Sequence, residues 1–387
     1  MSAVVALPRL MRIGASASGE VAGVLQGFGL SKPLIVTDKF LAGQGHVDRL
    51  VAGLERAGIT GARVFDGTVP DPTSSSIDAG VAFLQEGDHD SVIGFGGGSP
   101  LDSAKAIAVL SQFGGAMRDY MVPHVQDAPG LPIIAVPTTA GTGSEATRFT
   151  IITDDATNEK MLCAGLAYLP IAALVDYELT LTMPRRLTAD TGIDSLTHAI
   201  EAYVSKKATA FSDTMALQAM RVIAPNLRRV YKDPNDRAAR EAMMLGATLA
   251  GIAFSNASVA LVHGMSRPIG AFFHVPHGLS NAMLLPAVTS FSALGARRRY
   301  ADCAVAMGVA RPEEGEQAAV ARLLEELHAL NADLDVPTPA AYGIDRQVWE
   351  DSIDIMATQA IASGSPGNNP RVPTHEEIKD LYKQVYA

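Results

Sequence analysis

The sequence predicts two structural parts, an open and mainly parallel α/β sheet domain followed by an all-helical domain. Two observations carry that prediction. Up to about residue 180, short β-rich apolar runs alternate with helical patterns. From Met183 onward strand signals all but vanish, and long Ala/Leu/Met-rich helical patterns run to the C-terminus. MPRRLTAD (183–190) is the expected joint, which gives parts 1–183 and 184–387 with no Gly/Ser linker, internal repeat or low-complexity tract.

In chain order, PLIVTD (33–38) reads as a strand, HVDRLVAGLERAG (46–58) as a helix, ARVFDG (62–67) as a strand and SSIDAGVAFLQEG (75–87) as a helix. SVIGFGGG (91–98) is the next strand, DSAKAIAVLS (102–111) the next helix, and LPIIAVPTT (131–139) a further strand. The turn GFGGGSPLDSAKA joins a strand to a helix, with Ser99 expected at the N-cap, Pro100 at the first helical position and Asp102 near the end of the first turn. Its amides and helix N-terminus offer an anion site, and Gly97 and Gly98 let a pyrophosphate come close. It is neither a GxGxxG fingerprint nor a Walker A motif, and a tight turn needing glycine for backbone reasons alone is the structural alternative. A second loop, PTTAGTGSEATRF (137–149), is rich in hydroxyls at the end of another strand. Ligands of open parallel sheets bind beyond the carboxyl ends of strands, where both loops and Asp38 are expected. A carboxylate at Asp38 can accept from ribose hydroxyls and repel a 2'-phosphate, which favours NAD over NADP; alternatively Asp38 caps the next turn.

In the second part, TADTGIDSLTHAIEAY (188–203) has helical periodicity, so Asp194 and His198, four residues apart, share one face. HGMSRPIGAFFHVPHG (263–278) supplies His263 at the close of a long apolar segment and His277 between Pro276 and Gly278. One carboxylate with three imidazoles suits Fe2+ or Zn2+ and suits Mg2+ or Ca2+ poorly. A five-coordinate ion would keep a position for a substrate oxygen. Taken alone, Asp194 and His198 also fit a surface hydrogen-bonded pair, and spacing does not separate His274 from His277 as the ligand. His46, His89, His124, His328 and His375 lie in polar or charged surroundings and read as solvent-facing. Ala242 to Val262 carries no charge, but its alanines, glycines, Thr248, Asn256 and serines make it a helix buried within a helical domain rather than a membrane span.

The 387 residues allow two domains, each with its own core. With 31 basic against 41 acidic residues and a net charge of -10, neither nucleic acid nor an anionic membrane surface is expected as partner. Two cysteines, Cys163 and Cys303, far apart and in apolar company, give neither a disulfide framework nor a Cys-based zinc site, and fit a reducing cytoplasm. The N-terminus lacks the charged and apolar regions of a signal peptide. A homodimer or higher homo-oligomer is the expected assembly.

GGGSPLDSAKAIA, PTTAGTGSEATRF, MPRRLTADTGIDSLTHAIEAYVS and HGMSRPIGAFFHVPHG together resemble, in order and spacing, the signatures of the iron-containing (group III) alcohol dehydrogenase family, over essentially the whole chain. The resemblance implies an N-terminal Rossmann-like dinucleotide-binding domain, an all-α C-terminal domain of dehydroquinate synthase-like architecture, and an active site in the cleft between them. It implies Asp194, His198, His263 and His277 as metal ligands. It further implies Gly97, Gly98, Ser99, Thr138, Thr139 and Thr142 at the cofactor phosphates and nicotinamide ribose, Asp38 at the adenosine ribose, and Lys160 as another cofactor contact. Many members carry a further His at the position of Arg267. A proton relay through that position is therefore in doubt, with His274 as the substitute, and Arg267 could instead pair with a substrate carboxylate, phosphate or sulfonate or bridge helices. Relatives often carry Asn at the position of Asp71.

Hydride leaves an alcohol readily only from its alkoxide, and a divalent cation favours that form and polarises the aldehyde carbonyl in reverse. NAD takes the hydride, with Fe2+ the first expectation for the metal and Zn2+ the second. Phe149 and Phe254 fit a wall on the substrate side, or core packing. The expected function is NAD-dependent alcohol dehydrogenase or aldehyde reductase on a small primary alcohol or aldehyde. A metal- and NAD-dependent lyase of the dehydroquinate synthase type and a non-catalytic NAD-binding assembly protein are the alternatives.

Overall fold

The computed structural model describes residues 3–387. The described chain divides into two compact units, Ala6–Thr182 and Met183–Ala387, with residues 3–5 grouped with the latter.

The first unit is built on a six-stranded parallel sheet in the order β1-β8-β5-β4-β2-β3. Its strands are β1 (Leu10–Ile13), β2 (Pro33–Asp38), β3 (Arg63–Thr68), β4 (Ser91–Gly96), β5 (Ile133–Pro137) and β8 (Ala172–Val175). Successive residues such as Leu34 and Ile35, or Val92 and Ile93, are all fully buried, because side chains alternate between two covered faces. On one face Ile35, Ile93, Ile134 and Leu174 pack with α1 (Val21–Gly27) and α3 (His46–Arg56), which follows α2 (Lys39–Gly43). On the other, Leu34, Val36, Val92 and Ile133 pack with α4 (Ser74–Gln85), α5 (Gly98–Phe113) and an antiparallel hairpin, β6 (Phe149–Thr153) and β7 (Lys160–Ala164). The expected strands and helices of this unit are found, and β1, β8 and the hairpin are additions to them.

The second unit is helical. It comprises α6 (Arg185–Val204), α7 (Ala210–Lys232), α8 (Arg237–Ser255), α9 (Leu261–Phe273), α10 (His277–Ala293), α11 (Arg297–Ala306), α12 (Glu316–Asp333), α13 (Pro339–Tyr342), α14 (Arg346–Ala362) and α15 (His375–Val385). From Gly192 to Val204 every residue of α6 is buried, as α7, α8 and α10 pack around it.

The uncharged stretch 242–262 is two helices, not one. α8 ends at Ser255, where Asn256 turns its side-chain Nδ2 back to Ile252 O at 2.9 Å. α9 then starts at Leu261, which places His263 in its first turn rather than at the close of a continuous helix. Among the described residues no helix is long and apolar enough to cross a membrane.

Candidate active site

Helix periodicity sets Asp194 and His198 one turn apart on α6, both buried, with His198 Nδ1 3.9 Å from Asp194 Oδ1. The first turn of α9 brings His263 Nε2 to 3.4 Å from the same oxygen, and the start of α10 brings His277 Nε2 to 3.8 Å. The four ligand atoms lie within 4.8 Å of one another. Gly278 permits this approach: a Cβ there would stand 2.3 Å from the carbonyl oxygen of Asp190, one turn before Asp194 on α6. His277 keeps 31% of its side chain exposed while Asp194 and His263 keep 3%, so the cluster opens on the His277 side. The rings of Phe254 and His198 stack with centroids at 4.3 Å, and those of His198 and His263 at 4.4 Å. His274 lies outside the cluster, exposed and in the left-handed conformation (φ 53°) that ends α9.

Glu201, one turn beyond His198 on α6, is buried behind His263. Its Oε2 accepts from His263 Nδ1 at 2.6 Å and from the Ala260 amide at 2.9 Å, and its Oε1 accepts from the Val262 amide at 2.6 Å. Ala260 has no side chain with which to cap α9, and Glu201 takes that part across the fold. With a metal bound, the same contact would keep the imidazole proton on Nδ1 and free Nε2 as the donor atom. Burial works against charge on both groups. Even so, the three imidazoles hold Asp194 well below the usual carboxylate range, and Glu201 and Asp194 raise His263 to about 9. The cluster therefore holds positive charge strongly, and one anionic oxygen with three imidazole nitrogens is a donor set that fits Fe2+ or Zn2+.

In the first unit the two loops expected at strand ends come together. A Cβ on Gly97 would press on Thr139 Cγ2 at 3.2 Å, and one on Gly98 would meet Thr142 Cγ2 at 2.8 Å, so a side chain at Gly98 would displace the second loop from the turn. The N-cap of α5 is Gly97, not Ser99: the extended backbone of Gly97 ends the strand, the helix begins at Gly98, and Pro100 is its third residue. Asp102 is a half-buried anchor, its Oδ1 accepting from Ser144 Oγ at 2.7 Å and its Oδ2 from the Ile151 amide at 2.9 Å. Lys105, fully buried, donates to Ser144 Oγ at 2.8 Å, to Thr147 Oγ1 at 3.0 Å and to Phe149 O at 2.8 Å. These two residues staple the 137–149 loop to α5. Asp38 ends β2 and also caps α2, with its Oδ1 accepting from the Leu41 amide at 2.8 Å.

Residues 8–177 match the family described as iron-containing alcohol dehydrogenase, and residues 188–386 match the Fe-containing alcohol dehydrogenase family, C-terminal. The chain belongs to the iron-containing alcohol dehydrogenase family. It is 38% identical to lactaldehyde reductase of Escherichia coli (strain K12), over 96% of this chain and 97% of that one. It is 35% identical to NAD-dependent methanol dehydrogenase of Bacillus methanolicus, over 98% of each. A crystal structure of 1,3-propanediol oxidoreductase superposes over 100% of both chains with a TM-score of 0.94 at 34% identity.

Two positions set this iron-containing alcohol dehydrogenase apart from the pattern the sequence resembles. Asp71, at positive φ (50°), accepts from Lys160 Nζ at 2.8 Å, so an acid stands against the lysine expected to meet the cofactor. Arg267 is embedded in the helical unit, one turn along α9 from His263, and donates to Ser365 Oγ at 3.2 Å. Its Nε is buried without a hydrogen-bond partner, and burial pulls the guanidinium down to about 10, with Glu201 partly opposing. Of the histidines read as solvent-facing, His124 and His328 are exposed, whereas His46, His89 and His375 are half-buried against Arg49, the Lys32 carbonyl and Thr358. Glu201, Asn281, Asp102 and Lys105 carry the site and were not singled out for these parts by the sequence. Glu201 offered one signal, as the lone charge in the run SLTHAIEAYV.

Proposed function

We propose that this chain is a metal-dependent NAD(H) alcohol dehydrogenase or aldehyde reductase that moves a hydride between NAD and a small primary alcohol or aldehyde. The observation that carries the reading is the convergence of Asp194, His198, His263 and His277 on one point of the helical unit. Residues 1–183 act as the dinucleotide-binding domain and 184–387 as the metal-binding catalytic domain. Fe2+, or Zn2+ in its place, lowers the pKa of an alcohol hydroxyl and polarises a carbonyl when bound. Bound NAD would supply the acceptor and donor of the hydride.

The residues of the chain bind and orient. Asp194, His198, His263 and His277 hold the ion, and Glu201 keeps the proton of His263 on Nδ1. Gly97, Gly98 and Ser99 would offer the pyrophosphate their turn and helix N-terminus, and the hydroxyls of Thr138, Thr139 and Thr142 would bind the phosphates and the nicotinamide ribose. The second oxygen of Asp38 accepts from the adenosine ribose, and Lys160 adds a cationic contact. Phe254, stacked on His198, would wall the substrate side of the metal cluster against water, and Phe149 is the candidate wall residue of the sheet unit. Exposed His274 exchanges the alcohol proton with solvent. Arg267 meets an anionic group of the substrate. The two buried thiols support a reducing, cytoplasmic setting.

The test follows reduced nicotinamide by its absorbance with NAD and a panel of primary alcohols, before and after chelation. Turnover should vanish in verified metal-free protein and return with Fe2+ or Zn2+. His263→Ala should lose metal while NAD binding survives. Turnover that persists without metal would overturn the reading.

A further inference from the structure

Asn281 lies one turn after His277 on α10, on the same face, and is fully buried. Its Nδ2 is 2.7 Å from Asp194 Oδ1, 3.2 Å from His263 Nε2 and 3.3 Å from His277 Nε2. One amide nitrogen thus caps the triangle made by three of the four ligand atoms. Its own Oδ1 is buried with no hydrogen-bond partner. Packing alone does not account for this arrangement. A leucine has the same heavy-atom branching and would occupy the position without stranding a carbonyl oxygen, which is costly in a buried setting. What the site gains from an amide is what its nitrogen faces.

We infer that Asn281 is a fifth residue of the metal centre, a positioning residue that acts through Asp194. Its N–H donates to the oxygen that faces the three imidazoles, and so draws electron density from the only anionic donor of the set. The imidazoles then dominate the ligand field. That balance selects borderline ions such as Fe2+, Co2+ and Zn2+ over hard ions such as Mn2+ and Mg2+, which depend on strong oxygen donors. The amide also closes one face of the ligand triangle, so a substrate oxygen must enter from another. The inference rests on the metal-centre reading given above, and the experiment separates the two.

The probes are Co2+, Zn2+ and Mn2+, added to full-length wild type, Asn281→Leu and Asn281→Asp, with the far-UV circular dichroism spectrum as the check on folding of the helical unit. Wild type should take up one Co2+ with a visible absorption spectrum that His263→Ala abolishes. If it does not, the metal-centre reading fails, and this inference with it. Given that spectrum, Asn281→Leu should shift it and raise the affinity for Mn2+ relative to Zn2+ roughly tenfold, the scale of an outer partner's effect on a metal site. Asn281→Asp keeps the shape and adds a second anionic oxygen beside Asp194. It should move the Mn2+ to Zn2+ ratio further the same way and widen the rise in melting temperature on Mn2+ addition. If Asn281→Leu does not fold, Asn281→Asp decides alone. A wild-type Co2+ spectrum and unchanged affinity ratios in the folded variants would overturn the inference and leave the metal-centre reading intact.

Discussion

Glu201 and His263 share a buried hydrogen bond of 2.6 Å, and the carboxylate that makes it also holds the first amides of α9. One side chain therefore starts the helix that carries a ligand and turns that ligand's ring. Glu201→Gln replaces an acceptor-only group with one whose NH2 must face a donor. Metal affinity should fall roughly 10- to 100-fold, the usual cost of losing the outer partner of a metal-bound histidine. Competition with a chromophoric chelator measures it. Metal retention equal to wild type would mean that the packing of α9 alone orients His263.

Asp38 has two parts to play, and one substitution separates them. Its Oδ1 caps α2, and in the proposed function its other oxygen reads the ribose. Glycine at an N-cap costs only a few tenths of a kcal/mol relative to Asp, so Asp38→Gly should leave the melting temperature nearly unchanged. The ratio of kcat/KM with NAD to that with NADP should fall, because the ribose acceptor and the repulsion of a 2'-phosphate are lost together. A wild type that already prefers NADP would sink this reading of Asp38.

The sheet domain was legible because its strands are apolar runs bounded by turn residues at regular spacing, and buried parallel strands need no more than that. β1 and β8 have four residues each, too short for a run to stand out. Asp194 and His198 were legible as a pair because helix geometry alone makes residues four apart neighbours. Spacing alone did not separate His277 from His274; Pro276 and Gly278 favoured His277, and the left-handed turn at His274 that ends α9 agrees with that choice. The break at 256–260 was hidden by its apolar composition. SNAS (255–258) was the available signal, but the acid that stabilises the new helix start lies 59 residues away from Ala260 in the chain. Asn281 looks like an ordinary helix residue until the helices are packed, and Glu201 shows in the sequence only as a lone charge in its run, with no sign of its partner.

Arg267 distinguishes two roles by substrate. Its guanidinium is embedded, its one hydrogen bond goes to a serine hydroxyl, and among the described residues no carboxylate pairs with it within ion-pair distance. An anionic substrate group would offset the cost of burying that charge, whereas a plain alkanol would not. Arg267→His should therefore lower kcat/KM for a carboxylated or phosphorylated aldehyde by roughly ten- to a hundredfold, the worth of a charge-assisted hydrogen bond, and spare propanol. An equal loss on both substrates would make Arg267 a scaffold residue, balancing the charge of Glu201.

Lys105 should make itself felt in alkaline stability. Burial pulls its amine down to about 8 from an ordinary 10.5, with Asp102 and Glu145 opposing. Below about pH 8 the folded and unfolded chains both hold the proton, and the cost of burying the charge is fully present. Between about 8 and 10.5 the folded protein has released a proton that the unfolded chain still binds, so this group's contribution to stability rises with pH. The whole window is worth about 3 kcal/mol. Lys105→Met removes the titrating group and the staple to Ser144, Thr147 and Phe149, so it should destabilise the fold and weaken NAD binding through the loosened loop. The difference in unfolding free energy between wild type and Lys105→Met, measured in urea at pH 7.5 and again at pH 10, should shift toward the wild type at the higher pH. A difference that stays flat would mean the hydrogen bonds keep Lys105 charged throughout, and one that shifts toward the variant would reverse the sign of the argument.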